Sequence, residues 1–258
     1  MSTKQENATE DSAAVIESIT KLFQEMKLNR LSAGRLYMGL PLSILKAFHQ
    51  ALSEQHHEDE EKRYANRLRY AGIARERTIN TFKWDNDTYP FAESGVIESA
   101  ISIEFVKQRK NLIVVGPPGA GKTALVVIAA CKAVRAGFSV RYKSAHDIAL
   151  GLHEARVGNS LSGYIKKLQS CDMLVIDDLT LATFDLNTAQ SFHSVIDGRY
   201  GRKTTVITSN GSIKEWAQKL PDERMSSAFL GRIYEEALLV NMNGAEDMRL
   251  KRAKGMFE

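Results

Sequence analysis

Hydrophobic positions follow two regimes along the chain. Between residues 12 and 80 they are sparse and recur at helical spacing, as in Leu42, Leu45, Phe48 and Leu52, with charged residues between them. That period predicts amphipathic helices. Pro41 suits a first helical turn, and Gly72 suits a break after the charged stretch 53–70. Residues 93–109 fit a further helix. From Asn111 onward the pattern changes, and short apolar runs alternate with longer amphipathic ones. The runs predict strands at 111–115, 139–143, 173–177, 204–208 and 237–241. The intervening segments predict helices at 122–136 and 187–199, and helices through 145–169 and 213–233. Thr204 to Thr208 is β-branched throughout, the composition of a strand buried on both faces. Such alternation predicts an α/β fold with a five-stranded parallel sheet covered by helices. A small helical N-terminal domain, 1–80, would precede an α/β domain, 81–258, through a linker "TFKWDNDTYPF" that contains Pro90.

Three predicted strands end on polar residues rather than on ordinary turns. "NLIVVGPPGAGKT" runs from an apolar strand into Gly116-x-x-x-x-Gly121-Lys122-Thr123 and then into an apolar helix. Glycines let backbone N–H groups wrap phosphates, and the helix N-terminus adds the positive end of its dipole. Gly116, Pro117, Pro118, Gly119, Ala120, Gly121, Lys122, Thr123 and Ala124 are therefore the predicted nucleotide cradle. Lys122 is expected at the β- and γ-phosphates of ATP, and the Thr123 hydroxyl on Mg²⁺. "CDMLVIDDL" presents Asp177 and Asp178 at a second strand tip. Behind a phosphate loop, the first acid is expected to hold Mg²⁺ and the second to orient or deprotonate the attacking water. The third strand, "KTTVITSN", ends on Ser209 and Asn210. A plain reading is a turn that caps the helix beginning near Ile213.

Composition sets bounds on these motifs. The chain has 258 residues, 43% apolar and 26% charged, enough to bury a full core. No run approaches a membrane span, and the polar, acidic start "MSTKQENATEDSAAV" lacks a signal-peptide pattern, so a cytoplasmic location is expected. Cys131 and Cys171 lie in apolar contexts and predict buried free thiols rather than a disulfide or metal site. His56 and His57 fit a solvated face. The net charge of +4 is unevenly spread. Between Lys62 and Lys83, seven basic residues stand against the single acid Glu76, just after the acidic run "EQHHEDEE". A cluster this dense points to a phosphate-backbone partner.

The third strand tip gains meaning from a resemblance. The phosphate loop and acid pair resemble those of the AAA+ group of P-loop ATPases. In that group a polar residue at the tip of the fourth strand lies between the loop and the acids and touches the γ-phosphate and the lytic water. Asn210 fits this sensor role, with Ser209 or Thr208 as alternatives. "DGRYGRKTTVITSNGSIKEW" resembles a segment of the IstB/DnaC-like ATPases, and "RLRYAGIARERTINTFKWD" resembles the basic link before their core. "DERMSSAFLGRIYEEALLVNMNGAEDMRLKR" resembles their C-terminal end. The resemblance covers roughly residues 65–254, and Trp216 after the sensor favours its IstB side. Departures are Asp178 where many relatives carry Glu, and Gly201 and Gly231 where acids are common.

The resemblance implies an ATPase that completes each site with an arginine from the next subunit of a homo-oligomer, a ring or helical filament. Arg232 falls at the motif position, with Arg224 a nearby alternative and Arg249 a candidate second sensor. It also implies duplex DNA along the assembly, bound through its backbone. Arg63, Arg67, Arg75, Arg77, Lys107, Arg109 and Lys110 are candidate contacts, as are Arg141, Lys143, Arg156, Lys166 and Lys167 in the core. The expected function is that of a transposition helper that marks target DNA and recruits or activates a transposase. The alternatives are a helicase loader, binding single-stranded DNA and a replicative helicase, and a nucleotide-gated DNA scaffold whose hydrolysis is incidental.

Overall fold

A computed structural model describes residues 2–28, 31, 37–74, 76–78, 95–218, 220–245 and 247, with backbone alone for 2–10 and 181. The expected linker with Pro90, together with Arg75, Arg249 and the basic tail, lies outside the described residues. The chain forms two compact units, residues 1–66 and 67–258.

In the first unit, helix α1 (Ser2–Glu25) and the start of α2 (Leu42–Ala71) bury Ile19, Phe23, Tyr37 and Leu45. Pro41 immediately precedes α2, as its fixed φ favours, and Gly72 ends it with φ +82°. His56 departs from the solvated reading. It is only 21% exposed and lies 3.5 Å from Glu25, because the α2 face that carries it turns toward α1.

The second unit holds the parallel sheet. Its strands are β1 (Leu112–Val115), β2 (Val140–Ser144), β3 (Met173–Asp177), β4 (Thr204–Ser209) and β5 (Leu238–Asn241). They lie in the order β2-β3-β4-β1-β5, every pairing parallel. β3 and β4 are buried along their full lengths, which accounts for their uninterrupted apolar and β-branched composition. The segment 93–109 is not one helix. It forms α3 (Val96–Ile101) and α4 (Glu104–Lys107), broken where Ile103 takes φ +62°. Ile97, Ala100, Ile101, Phe105 and Val106 are all buried, so the apolar period runs on through the break and conceals it.

The remaining helices are α5 (Lys122–Arg135), α6 (Ala145–Val157), α7 (Leu161–Ser170), α8 (Leu186–Arg199), α9 (Ile213–Ala217) and α10 (Glu223–Tyr234). A core on one side of the sheet joins Ile176 and Ile207 to Phe192, Trp216 and Phe229. Trp216 packs edge-on to Phe184 and donates its indole N–H to Ala182 O at 3.1 Å, so it anchors α9. Cys131 and Cys171 are buried free thiols.

Candidate nucleotide site

β4 lies between β1 and β3, so the ends of these three strands converge on one edge of the sheet. That edge carries every polar strand tip singled out in the sequence. The phosphate loop follows β1, and Gly121 opens α5 with φ +91°. Gly116 is required by close approach, because a Cβ there would stand 2.7 Å from Met242 Cβ. Asp247 lies against the loop as well, with its Oδ1 2.0 Å from where a Cβ of Gly119 would be. Lys122 is 5% exposed, and its ammonium donates to the carbonyls of Gly116 and Pro117 at 2.8 Å each. A buried cation held by loop carbonyls at a helix N-terminus is matched to an incoming phosphate.

Asp177 is also 5% exposed. Thr123 Oγ1 donates toward both of its oxygens, at 3.3 and 3.1 Å. Thr208 donates to Asp177 Oδ1 and Tyr142 to Oδ2. Asp177 follows Ile176, which pairs with Ile207, so Thr208 stands directly beside it on the neighbouring strand. Burial, then the hydrogen bond and negative charge of Asp177, push the Tyr142 phenol well above its ordinary pKa, so it remains a donor.

Asp178 takes a left-handed conformation, φ 54° and ψ 53°, one that Asp tolerates better than most residues. Its N–H donates to Thr208 Oγ1 at 2.9 Å, and its Oδ1 accepts from Asn210 Nδ2 at 3.4 Å. The side-chain amide at the end of β4 is thus a partner of the second acid. Thr208, an alternative for the sensor position, grips both acids at once. Ser209 instead closes a local turn with Gly211.

Thr123 and Asp177 present the hard oxygen donors that Mg²⁺ takes, beside a loop shaped for phosphates. Both the cofactor and its metal therefore fit the residues present. Mg²⁺ bound there would screen the negative charge of the triphosphate.

Arg232 lies elsewhere. At the end of α10 it donates to Asp197 Oδ1 at 2.6 Å and to His193 Nε2 at 3.1 Å, both on α8. Burial, then the charge of Arg232, lower the pKa of His193, which keeps it neutral and able to accept. None of the loop or strand-tip residues is among these partners. Arg224 is exposed on the first turn of α10.

The basic residues divide into two sets. Arg63 pairs with Glu60 at 2.7 Å, Lys107 with Glu104 at 2.6 Å and Lys62 with Glu58 at 3.4 Å, so acids of their own helices offset them. Arg156, though exposed, donates to Asn187 O at 3.0 Å and Ser191 Oγ at 2.8 Å. Lys166 and Lys167 are exposed, with no ion pair among the described residues. Arg67 and Arg141, far apart in sequence, line one cleft of about 300 Å³ together with Tyr70, Ser139 and Ser170.

Two residues of the site were not singled out from the sequence. Tyr142 sits in the otherwise polar strand "VRYKS", where its ring and hydroxyl were the only signal. Asp247 was part of the C-terminal resemblance but had no assigned place. The sequence profile of the family described as IstB-like ATP binding protein matches residues 37–255. The chain belongs to that family. "Insertion sequence IS21 putative ATP-binding protein" of Pseudomonas aeruginosa is 26% identical over 204 residues, 79% of this chain and 76% of its own length. "Insertion sequence IS5376 putative ATP-binding protein" of Geobacillus stearothermophilus is 28% identical over 178 residues, 69% of this chain and 70% of its own length.

Solved structures agree on the fold. The crystal structure of the DnaC helicase loader superposes with TM-score 0.53 and 24% identity, covering 70% of this chain and 98% of that one. A DNA replication initiation factor gives TM-score 0.55 and 22% identity over 70% of this chain but only 54% of its own. At these identities the likeness concerns architecture alone, the five-stranded parallel sheet covered by helices.

Proposed function

We propose that this chain is an ATP-hydrolysing helper of transposition that assembles with its own copies on duplex DNA and recruits or stimulates a transposase. The observation that carries the proposal is the meeting of Lys122, Thr123, Asp177, Asp178 and Asn210 at one sheet edge in a family whose relatives bear insertion-sequence names. Lys122 would hold the β- and γ-phosphates, and Thr123 with Asp177 would hold Mg²⁺. Asp178, oriented by Asn210, would take the proton of the attacking water. Arg232 of one subunit would complete the site of the next, where an arginine offsets charge on the transferring phosphoryl group.

The cleft of Arg67 and Arg141 supports a DNA backbone contact, with Tyr70, 84% exposed, at its rim. The paired cations Arg63 and Lys107 remain available, because exposed ion pairs are weak and phosphates displace them. In the first unit, Leu40, Ile44 and Phe48 leave apolar side chains exposed, which supports partner docking there.

ATP hydrolysis measured with and without duplex DNA tests the chemistry. Lys122→Ala is expected to abolish ATP binding. Asp178→Asn is expected to keep binding and lose turnover by about a hundredfold or more, the usual worth of a positioned base. Undiminished hydrolysis in both variants would remove this site.

A further inference from the structure

We infer that Tyr142 is the positioning residue that sets Asp177 for the metal of the nucleotide. The inference rests on the ATP-site reading above and adds to it a residue outside the loop, the acid pair and the sensor. β3 lies between β2 and β4, so both neighbours can reach its tip. From β4, Thr208 reaches across directly to Asp177. From β2 the partner in register is Ser144, whereas Tyr142 stands opposite Val175, two positions back. That diagonal is beyond the reach of most side chains but within that of an aromatic one. The phenol spans it and donates to Asp177 Oδ2.

The carboxylate is consequently gripped from both sides. Tyr142 holds one oxygen and Thr208 the other, while Thr123 lies within 3.3 Å of each. A carboxylate has about four lone-pair sites, so three hydroxyl donors fix its plane and still leave capacity for a metal-bound water. Phenylalanine would fill the same space yet leave Oδ2 with only Thr123, shared between both oxygens, in a site only 5% exposed. The hydroxyl, not the ring, is therefore what the position needs. The backbone of Tyr142 is braced too. β2 is an edge strand, and on its free edge a Cβ at Gly72 would fall 2.7 Å from Tyr142 O. Groups that orient a metal ligand typically carry a ten- to hundredfold share of metal affinity (about that range).

The test is binding of a fluorescent ATP analogue to the full chain at rising Mg²⁺. For Tyr142→Phe the Mg²⁺ concentration at half-effect is expected to rise about tenfold or more, with analogue affinity in the absence of metal unchanged. A merely structural residue would weaken both together. Asp177→Asn should shift the Mg²⁺ midpoint in the same direction. Adding Tyr142→Phe to Asp177→Asn should then change nothing further, because the hydroxyl acts through that carboxylate. An unmoved midpoint in Tyr142→Phe, or a full additional penalty in the double variant, would overturn the inference while leaving the ATP site standing. Failure of the unsubstituted chain to bind the analogue would overturn the site reading and the inference with it.

Discussion

Arg199 is the largest side chain wholly buried among the described residues, 1% exposed, and among them Asp172 acts on it through its charge without forming an ion pair. Its guanidinium donates instead to Leu168 O at 2.7 Å, Cys171 O at 2.9 Å, Thr205 Oγ1 at 3.1 Å and the carbonyl of Thr204. Leu168 and Gln169 belong to the last turn of α7, whose free carbonyls and negative dipole end suit a cation. One residue thus ties α7 and α8 to the starts of β3 and β4, beneath the strand tips that carry the site. Arg199→Met should lower the stability of the second unit by about 3 kcal/mol or more, since several buried carbonyls lose their donor at once. Urea unfolding would measure it, and a midpoint within error of the unsubstituted protein would refute this role. In the sequence Arg199 was legible only as part of a family resemblance. Leu168 and Cys171 stand 31 and 28 residues before it and Thr204 and Thr205 five and six after it, and no spacing rule encodes that set. Lys122, Thr123, Asp177 and Asp178 were legible because their chemistry is written in contiguous motifs, whereas Tyr142 depends on a diagonal between two strands.

At the scale of elements, the strands were legible to within about a residue: β1, β3 and β4 because burial on both faces leaves a continuous apolar signature, β2 and β5 from their alternation with helices. The break between α3 and α4 was not, since buried positions continue helical spacing across Ile103. The order of strands was also hidden, although it is what sets Asn210 beside Asp178. The pairing of α8 with α10 is where Arg232 is settled, held by Asp197 and His193. Those partners would hold the guanidinium in place for a neighbouring subunit, and the proposed trans role can be separated from a purely internal one. Arg232→Ala should bind ATP normally and hydrolyse it poorly. Mixing it with Lys122→Ala should restore part of the activity, because a mixed interface pairs an intact loop with an intact arginine. Absence of recovery at every ratio, with co-assembly verified, would leave Arg232 as an α8–α10 tie alone.

At the scale of the whole molecule, the proposed DNA contact and the proposed subunit contact make a joint demand. Among the described residues the candidate basic contacts are spread over several elements, so one copy would offer a DNA backbone only a handful of contacts. Weak binding by a single copy at physiological salt follows. ATP held by Lys122 of one subunit and approached by Arg232 of the next would fix neighbours at a constant spacing. Their basic clefts would then follow one backbone, and each added subunit would bind with the help of the last. Binding of ATP and of duplex DNA should accordingly be cooperative. Because the contacts are to phosphates, affinity should fall steeply with salt and vary little with sequence. Anisotropy titrations with ATP, ADP and no nucleotide, at two salt concentrations and on duplex and single strands, measure all of this together. The expected result is tight, cooperative binding to duplex with ATP and weak binding otherwise. Lys122→Ala should behave with ATP as the unsubstituted chain does without nucleotide. Equal affinity with ADP and ATP would sever assembly from the nucleotide. A strong preference for single strands would transfer the function to helicase loading, and the site chemistry would stand in either case.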